Sequence, residues 1–145
     1  MRMPENPLLD EVLLYSDGAS RGNPGDAAIS YRLKANDGTV IVEHAEPIGR
    51  STNNEAEYRA HIAGLEACER HTRRRVSCHS DSLLMIMQLR GEYKVKAATL
   101  RRLWERAQTS ARRFEEVVYT HVPRADPNIA LVDKLANQAL DAPAV

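Results

Sequence analysis

Long apolar runs are missing from this chain, and so are excess charge and any wealth of cysteine. In 145 residues no apolar stretch approaches the roughly 20 residues of a membrane-crossing helix, so no membrane association is expected. Residues 1–10 are polar and proline-containing. They lack the apolar core of a signal peptide and read as a disordered lead-in. Two cysteines, Cys68 and Cys78, are too few for a disulfide scaffold. They suit a reducing cytoplasm and read as free thiols rather than a bridge. Basic and acidic residues balance at 20 each, so the overall basic excess that marks many nucleic-acid binders is absent. No Cys/His array has zinc spacing, and no Gly-Lys-Ser loop of Walker type is present. No repeat, low-complexity segment or shift in composition divides the chain. The expectation is one domain over 11–141, followed by a tail at 142–145.

What is present is ordinary globular material, 43% hydrophobic and 28% charged, in a length that can bury a real core. The charge is uneven. Arg70, Arg73, Arg74 and Arg75 form one cluster, and Arg101, Arg102, Arg106, Arg112 and Arg113 form another around Trp104. Each suits a solvated helix face or a row of phosphate contacts.

Periodicity supplies the elements. An apolar run predicts a buried strand over 11–16. Clean alternation of Ala27, Ile29, Tyr31 and Leu33 predicts a half-buried strand over 27–34. Asn36-Asp37-Gly38 predicts a hairpin into a third strand over 39–45. Ala56, Ala60, Ala63, Gly64 and Ala67 recur at helical spacing over 53–70 and leave a face small enough to lie close on a sheet. A strand over 75–80, helices over 83–89 and 99–114, a strand over 116–122 and a helix over 128–140 complete the order βββαβααβα. That order reads as α/β, a mixed sheet with helices on its faces.

The most informative stretch runs V-L-L-Y-S-D-G-A-S-R-G-N-P-G over 12–25. Asp17 stands where the apolar run stops and a glycine-rich, turn-like segment begins. Alone, an Asp-Gly pair is a turn more often than a site. Three further acids change that. Asp81 ends the strand over 75–80. Glu57 shares a helical face with Ala60, Gly64 and Ala67. Asp133 shares one with Ile129, Ala136 and Leu140. Each has an ordinary explanation: a helix cap for Asp81, helix-dipole compensation for Glu57, an arginine partner for Asp133. Four inward or strand-end acids together point instead to a shared cation, because clustered buried carboxylates repel unless one sits among them. Oxygen-only donors suit Mg²⁺ beside a substrate phosphate.

These residues resemble the motifs of the type 1 ribonuclease H family. The motifs are S-D-G-A-S-R-G-N-P-G, S-T-N-N-E-A-E-Y-R-A over 51–60, H-S-D-S over 79–82 and V-D-K-L-A-N over 132–137, in family order. The resemblance implies a ribonuclease H-like fold: a five-stranded mixed sheet, three strands antiparallel and then parallel ones, flanked by helices. It implies an enzyme that hydrolyses the RNA strand of an RNA–DNA hybrid and leaves a 5′-phosphate and a 3′-hydroxyl. It places Asp17, Glu57, Asp81 and Asp133 on two Mg²⁺ ions, with Mn²⁺ as a substitute, in a cytoplasmic monomer. It places Gly18, Ser20, Asn23, Asn53 and Asn54 against the hybrid, where side-chain amides can read base edges beside a 2′-hydroxyl. Capping of the helix by Thr52 or Asn53 can coexist with that role.

Two departures from the family pattern stand out. The loop before the last helix reads H-V-P-R-A-D-P-N over 121–128 and is similar to the V-P-R variant of archaeal-type members. His121 falls at the strand end rather than in the loop, so the helper role passes to Arg124, with a plain surface arginine as the alternative. The stretch from Asn128 to Asp133 is also one residue longer than the pattern. Second, the segment 90–98 is short, with Arg90, Lys94 and Lys96 as its basic residues, and is similar to members that lack the basic protrusion.

Overall fold

A computed structural model of the protein describes residues 8–142. Nine elements follow in chain order: β1 (Leu9–Gly22), β2 (Gly25–Lys34), β3 (Val40–Ser51), α1 (Asn53–Cys68), β4 (Thr72–Ser80), α2 (Leu83–Leu89), α3 (Ala98–Ala111), β5 (Glu116–His121) and α4 (Pro127–Asp141). They form one five-stranded sheet in the order β3-β2-β1-β4-β5. β1, β2 and β3 pair antiparallel, and β4 and β5 add parallel to β1. This is the α/β arrangement expected from the pattern. Among the described residues no helix is long and apolar enough to cross a membrane.

The largest correction concerns β1. It begins at Leu9, inside the expected lead-in, whose residues 1–7 lie outside the described residues, as do 143–145 of the tail. It does not end at Asp17. Pairing with β2 continues through Asp17↔Ser30 and Gly18↔Ile29 to Gly22↔Gly25, so the turn is confined to Asn23-Pro24. Pairing with β4 stops at Tyr15↔His79. Asp17 therefore lies mid-strand, just past the point where one neighbour runs out, and its side chain still meets an open sheet end. The glycine after it serves packing: a Cβ on Gly18 would lie 2.2 Å from the carbonyl carbon of Ala56. β3 also outruns its expected span, to Ser51. It is an edge strand, where Pro47 needs no ladder donor, and a bulge leaves Ile48 unpaired between Ala27↔Gly49 and Ala28↔Pro47, beside Gly49 at φ +78°.

α1 starts in a capping box. The Thr52 hydroxyl accepts from Glu55 N–H (3.2 Å), and Thr52 N–H donates to Glu55 Oε1 (3.1 Å). Ala56, Ala60 and Gly64 are buried, and a Cβ on Gly64 would sit 2.5 Å from Leu14 Cδ1, so the helix lies close on β1. Here Val12, Leu14, Leu33, Leu65, Val76 and the free thiols of Cys68 and Cys78 make the main core. The other side of α1 carries Tyr58 and Ile62 into a second cluster with Met85, Leu89, Leu100 and Ala107. Trp104 packs against that cluster and donates its indole N–H to the Gln88 carbonyl (3.1 Å), so it braces α2 against α3.

α4 lies on the opposite face of the sheet. Asp126 caps it by accepting from Asn128 and Ile129 N–H (2.9 and 3.2 Å), with Pro127 in the first turn. Its buried seam is Ile129, Val132 and Ala136; Leu140 is half-buried, and Asp133 lies beside the seam rather than in it. Ser30 donates to the Val132 carbonyl, and Arg32 donates to Asn128 Oδ1 (2.8 Å). These bonds fix the helix over β1 and β2.

Candidate active site

Four elements converge at the end of the sheet where β1 outruns β4. β1 carries Asp17, the first turns of α1 carry Glu57, the exit of β4 carries Asp81 and α4 carries Asp133. All four line one open cleft of about 550 Å³. Asp17 and Glu57 are 6% and 4% exposed. Ligand oxygens of Asp17, Glu57 and Asp81 lie within 4.8 Å of one another, and Asp133 faces the same cleft, close enough for its charge to act on Asp17.

The ordinary explanations for three of these acids do not match their contacts. Ser82, not Asp81, caps α2 by accepting from Met85 N–H (3.3 Å). The Glu57 carboxylate accepts the N–H of Gly18, a bond across to β1 rather than to its own helix end. Among the described residues no arginine or lysine pairs with Asp133, nor with the other three acids. Burial, and then the charges of Glu57, Asp81 and Asp133, push the Asp17 carboxyl far above the usual range. Burial likewise raises Glu57, while the Gly18 N–H pulls it partly back. A site that holds its carboxylates together at this electrostatic cost is complementary to a cation. Its all-oxygen donor set fits a hard divalent ion rather than zinc.

The residues expected to touch a substrate divide. Gly18, Ser20 and Asn53 line the cleft. Gly18 gives its N–H to Glu57, so that donor is not free for a ligand. Ser20 Oγ sits between the Gly22 carbonyl and that of Ser51 (2.8 Å to the latter) and closes the hairpin onto β3. Asn23 Oδ1 accepts the N–H of Asn53 (3.1 Å), which ties the hairpin tip to the start of α1 and leaves the Asn23 amide group facing out. Thr52 does the capping, so the exposed side chains of Asn53 and Asn54 are not committed to the helix end. Asn54 is not part of the cleft wall, whereas Arg124 stands exposed on its rim.

His121 and Asn137 also line the cleft. His121 places Nε2 3.2 Å from the Asp81 carbonyl oxygen. Asn137, one turn beyond Asp133, donates to the Asp133 carbonyl (3.0 Å) and reaches Asp133 Oδ1 (3.4 Å). The spacing of four from Asp133 was the available signal for Asn137. For His121 the strand end was legible, but not that β5 ends beside Asp81.

The chain has clear relatives. The family described as Reverse transcriptase-like matches residues 15–139. The protein named Ribonuclease HI from Halobacterium salinarum is 45% identical over 130 residues, which are 90% of this chain and 64% of that one. The bifunctional protein Rv2228c of Mycobacterium tuberculosis is 42% identical over 135 residues, 92% of this chain and 36% of its own length. The chain thus spans less than two thirds of either curated relative. The crystal structure of the Halobacterium RNase H1 superimposes with a TM-score of 0.86 at 44% identity, covering 90% of this chain and 98% of that one. A structure of LC11-RNase H1 in complex with an RNA/DNA hybrid gives 0.83 at 34% identity, covering 90% and 96%.

Proposed function

We infer the reaction from one premise: the chain belongs to the type 1 ribonuclease H family. On that premise it is an endoribonuclease that hydrolyses the RNA strand of RNA–DNA hybrids, leaving a 5′-phosphate and a 3′-hydroxyl. The observation that carries this reading is the convergence of Asp17, Glu57, Asp81 and Asp133 on one cleft with no basic partner among the described residues. The cleft belongs to a relative of a protein whose structure holds an RNA/DNA hybrid.

The four acids fit two Mg²⁺ ions, with Mn²⁺ as a substitute, because they offer only hard oxygens. When bound, such ions supply an activated water nucleophile and stabilise the leaving oxygen of a phosphodiester. Asp17, buried among the other three acids, would be a ligand to such an ion. Glu57, held by the Gly18 N–H, is fixed before any ion arrives. Asp81 and Asp133 complete the set of acids lining the cleft. Ser20, Asn23, Asn53 and Asn54 lie along the hairpin and the start of α1, where the RNA backbone and minor-groove edges would run. Gly18 lines the cleft beside Ser20 and Asn53. Arg124, exposed where it lines the cleft, is the candidate to hold the scissile phosphate or to steady Asp133.

Residues 11–141 form the working domain on this reading, and the site is complete within one chain, which suits a monomer. Buried free Cys68 and Cys78 favour the cytoplasm. The test is incubation of the protein with labelled RNA–DNA hybrid, double-stranded DNA and double-stranded RNA, with and without Mg²⁺. Cleavage of the hybrid's RNA strand that needs Mg²⁺ is the expected result. An uncut hybrid would mark a binding module, and cut double-stranded DNA a different nuclease.

A further inference from the structure

We propose that Asn137 is a positioning residue for Asp133, setting how that carboxylate faces the metal-binding cleft; this rests on the metal-dependent reading above. The helix beneath Asp133 is already fixed. Ser30 holds the Val132 carbonyl, Arg32 holds Asn128, and Arg21 donates to the Asn137 carbonyl (3.3 Å) while pairing with Asp141 (2.6 Å). The freedom that remains at Asp133 is the rotation of its own side chain. One Asn137 Nδ2 serves both the Asp133 carbonyl (3.0 Å) and Oδ1 (3.4 Å), so the amide bridges the backbone and the carboxylate of the same residue. That contact restrains the rotation and keeps the carboxylate on the wall of the cleft that Asp17 also lines.

The chemistry of the donor matters. An arginine here would neutralise Asp133 and compete with a metal ion for it. A neutral amide orients the carboxylate without supplying a rival charge. Glu57 is treated in the same way, since its donor is the neutral backbone N–H of Gly18. Two of the four acids are thus held by uncharged donors. Such outer contacts fix ligand orientation at metal centres, and their loss weakens metal binding by roughly 10–100-fold. The competing account is ordinary back-bonding of an asparagine to the carbonyl four residues earlier, which would matter only to the helix. The carboxylate contact and the place of Asn137 on the cleft wall favour positioning.

The experiment compares Asn137→Leu, of similar shape without a donor, Asn137→Ala, which adds no bulk, and Asn137→Gln, which keeps the amide. Mn²⁺ binding to the protein alone is measured by calorimetry, and the Mg²⁺ dependence and KM of hybrid cleavage are measured in parallel. Asn137→Leu and Asn137→Ala should bind Mn²⁺ roughly tenfold more weakly and need roughly tenfold more Mg²⁺. KM for the hybrid at saturating metal should change less than about twofold and the thermal midpoint by no more than about 3 °C, with Asn137→Gln recovering most of the metal affinity. Metal titrations like the wild type in both variants, or a defect confined to hybrid KM, would overturn the proposal. The binding arm separates it from the reading it rests on. If the wild type leaves hybrid uncut while Asn137→Ala weakens Mn²⁺ binding, the cleavage reading falls and the positioning stands. If hybrid is cut and neither variant shifts the metal titrations, the positioning alone falls.

Discussion

Helix α1 separates two buried polar regions that are built on opposite terms. Toward β1 it presents Glu57 to Asp17, Asp81 and Asp133, a crowd of carboxylates with no cation beside them among the described residues. Toward α2 and α3 it presents Tyr58, whose hydroxyl donates to Gln88 Oε1 (2.6 Å). Gln88 in turn donates to the Lys94 carbonyl (3.3 Å) and accepts the Trp104 indole N–H on its own carbonyl (3.1 Å). One side leaves like charges facing each other; the other pairs neutral donors with acceptors. A fold selected for stability alone would treat both sides in the second way. The exception on the satisfied side is His61, fully buried with Nε2 lacking a partner. Its closest aromatic neighbour is Tyr119, with ring centroids 5.8 Å apart.

The sharpest way to break this contrast is to remove one charge from the crowded side. Asp17→Asn should lower hybrid cleavage on the order of 10³-fold, a barrier increase of about 4 kcal/mol. In metal-free buffer at pH 7 the same variant should unfold at a higher temperature than the wild type. The direction follows from linkage. Asp17 holds its proton to a higher pH folded than unfolded, so the wild type loses stability as pH rises above the ordinary carboxylate range. An asparagine has no such loss, and the advantage should vanish near pH 3. Calorimetric melts with a chelator across pH check this. A variant that is less stable at pH 7 would show that the acids are held by something other than strain against each other.

His61 should give a pH dependence of opposite sign. Burial lowers its pKa from 6.5 to about 4. Between those values the unfolded chain binds a proton that the folded chain refuses. Stability is then lost as pH falls from about 6.5 toward 4, by about 3 kcal/mol in full. His61→Leu should remove that component from denaturant melts while leaving the alkaline-side loss from the acids in place. A third test keeps to the satisfied side. Tyr58→Phe strips the donor from Gln88 Oε1 and should cost about 1–3 kcal/mol with hybrid cleavage unchanged. If the loss is negligible, the pairing around Gln88 contributes less than its geometry suggests.

Much of the element order was legible because periodicity and turn chemistry are local. The alternation in β2, the Asn36-Asp37-Gly38 turn and the small residues of α1 all signal themselves within a few positions. What failed locally was decided at a distance. The segment after Asp17 looks like a turn because it is rich in glycine, yet Gly18 is small for the sake of Ala56, 38 positions further on. The third strand was expected to stop at 45, yet β3 runs on through Pro47 and Gly49, which its edge position allows. The same holds for the cleft. Asp17, Glu57, Asp81 and Asp133 could be picked out singly, by strand ends and helical faces. That Ser82 rather than Asp81 caps α2, and that Asn137 reaches Asp133, depends on side-chain directions that spacing only suggests.

Arg124 offers the smallest effect and tests where the crowded side ends. It is exposed on the rim, while the acids below it are buried or half-buried, so any bond it makes to a phosphate competes with water and salt. Arg124→Ala should therefore lower kcat/KM on hybrid by less than about tenfold. The distinguishing measurement is salt dependence. An arginine that neutralises one phosphate contributes about one unit to the log–log slope of binding against salt concentration, and the variant should be shallower by that amount. If it instead steadies Asp133, the slope stays put and the Mg²⁺ requirement rises, because the loss then falls on the metal-facing acid. A variant with the wild-type rate, slope and metal requirement would leave Arg124 a surface residue and draw the boundary of the site at the carboxylates themselves.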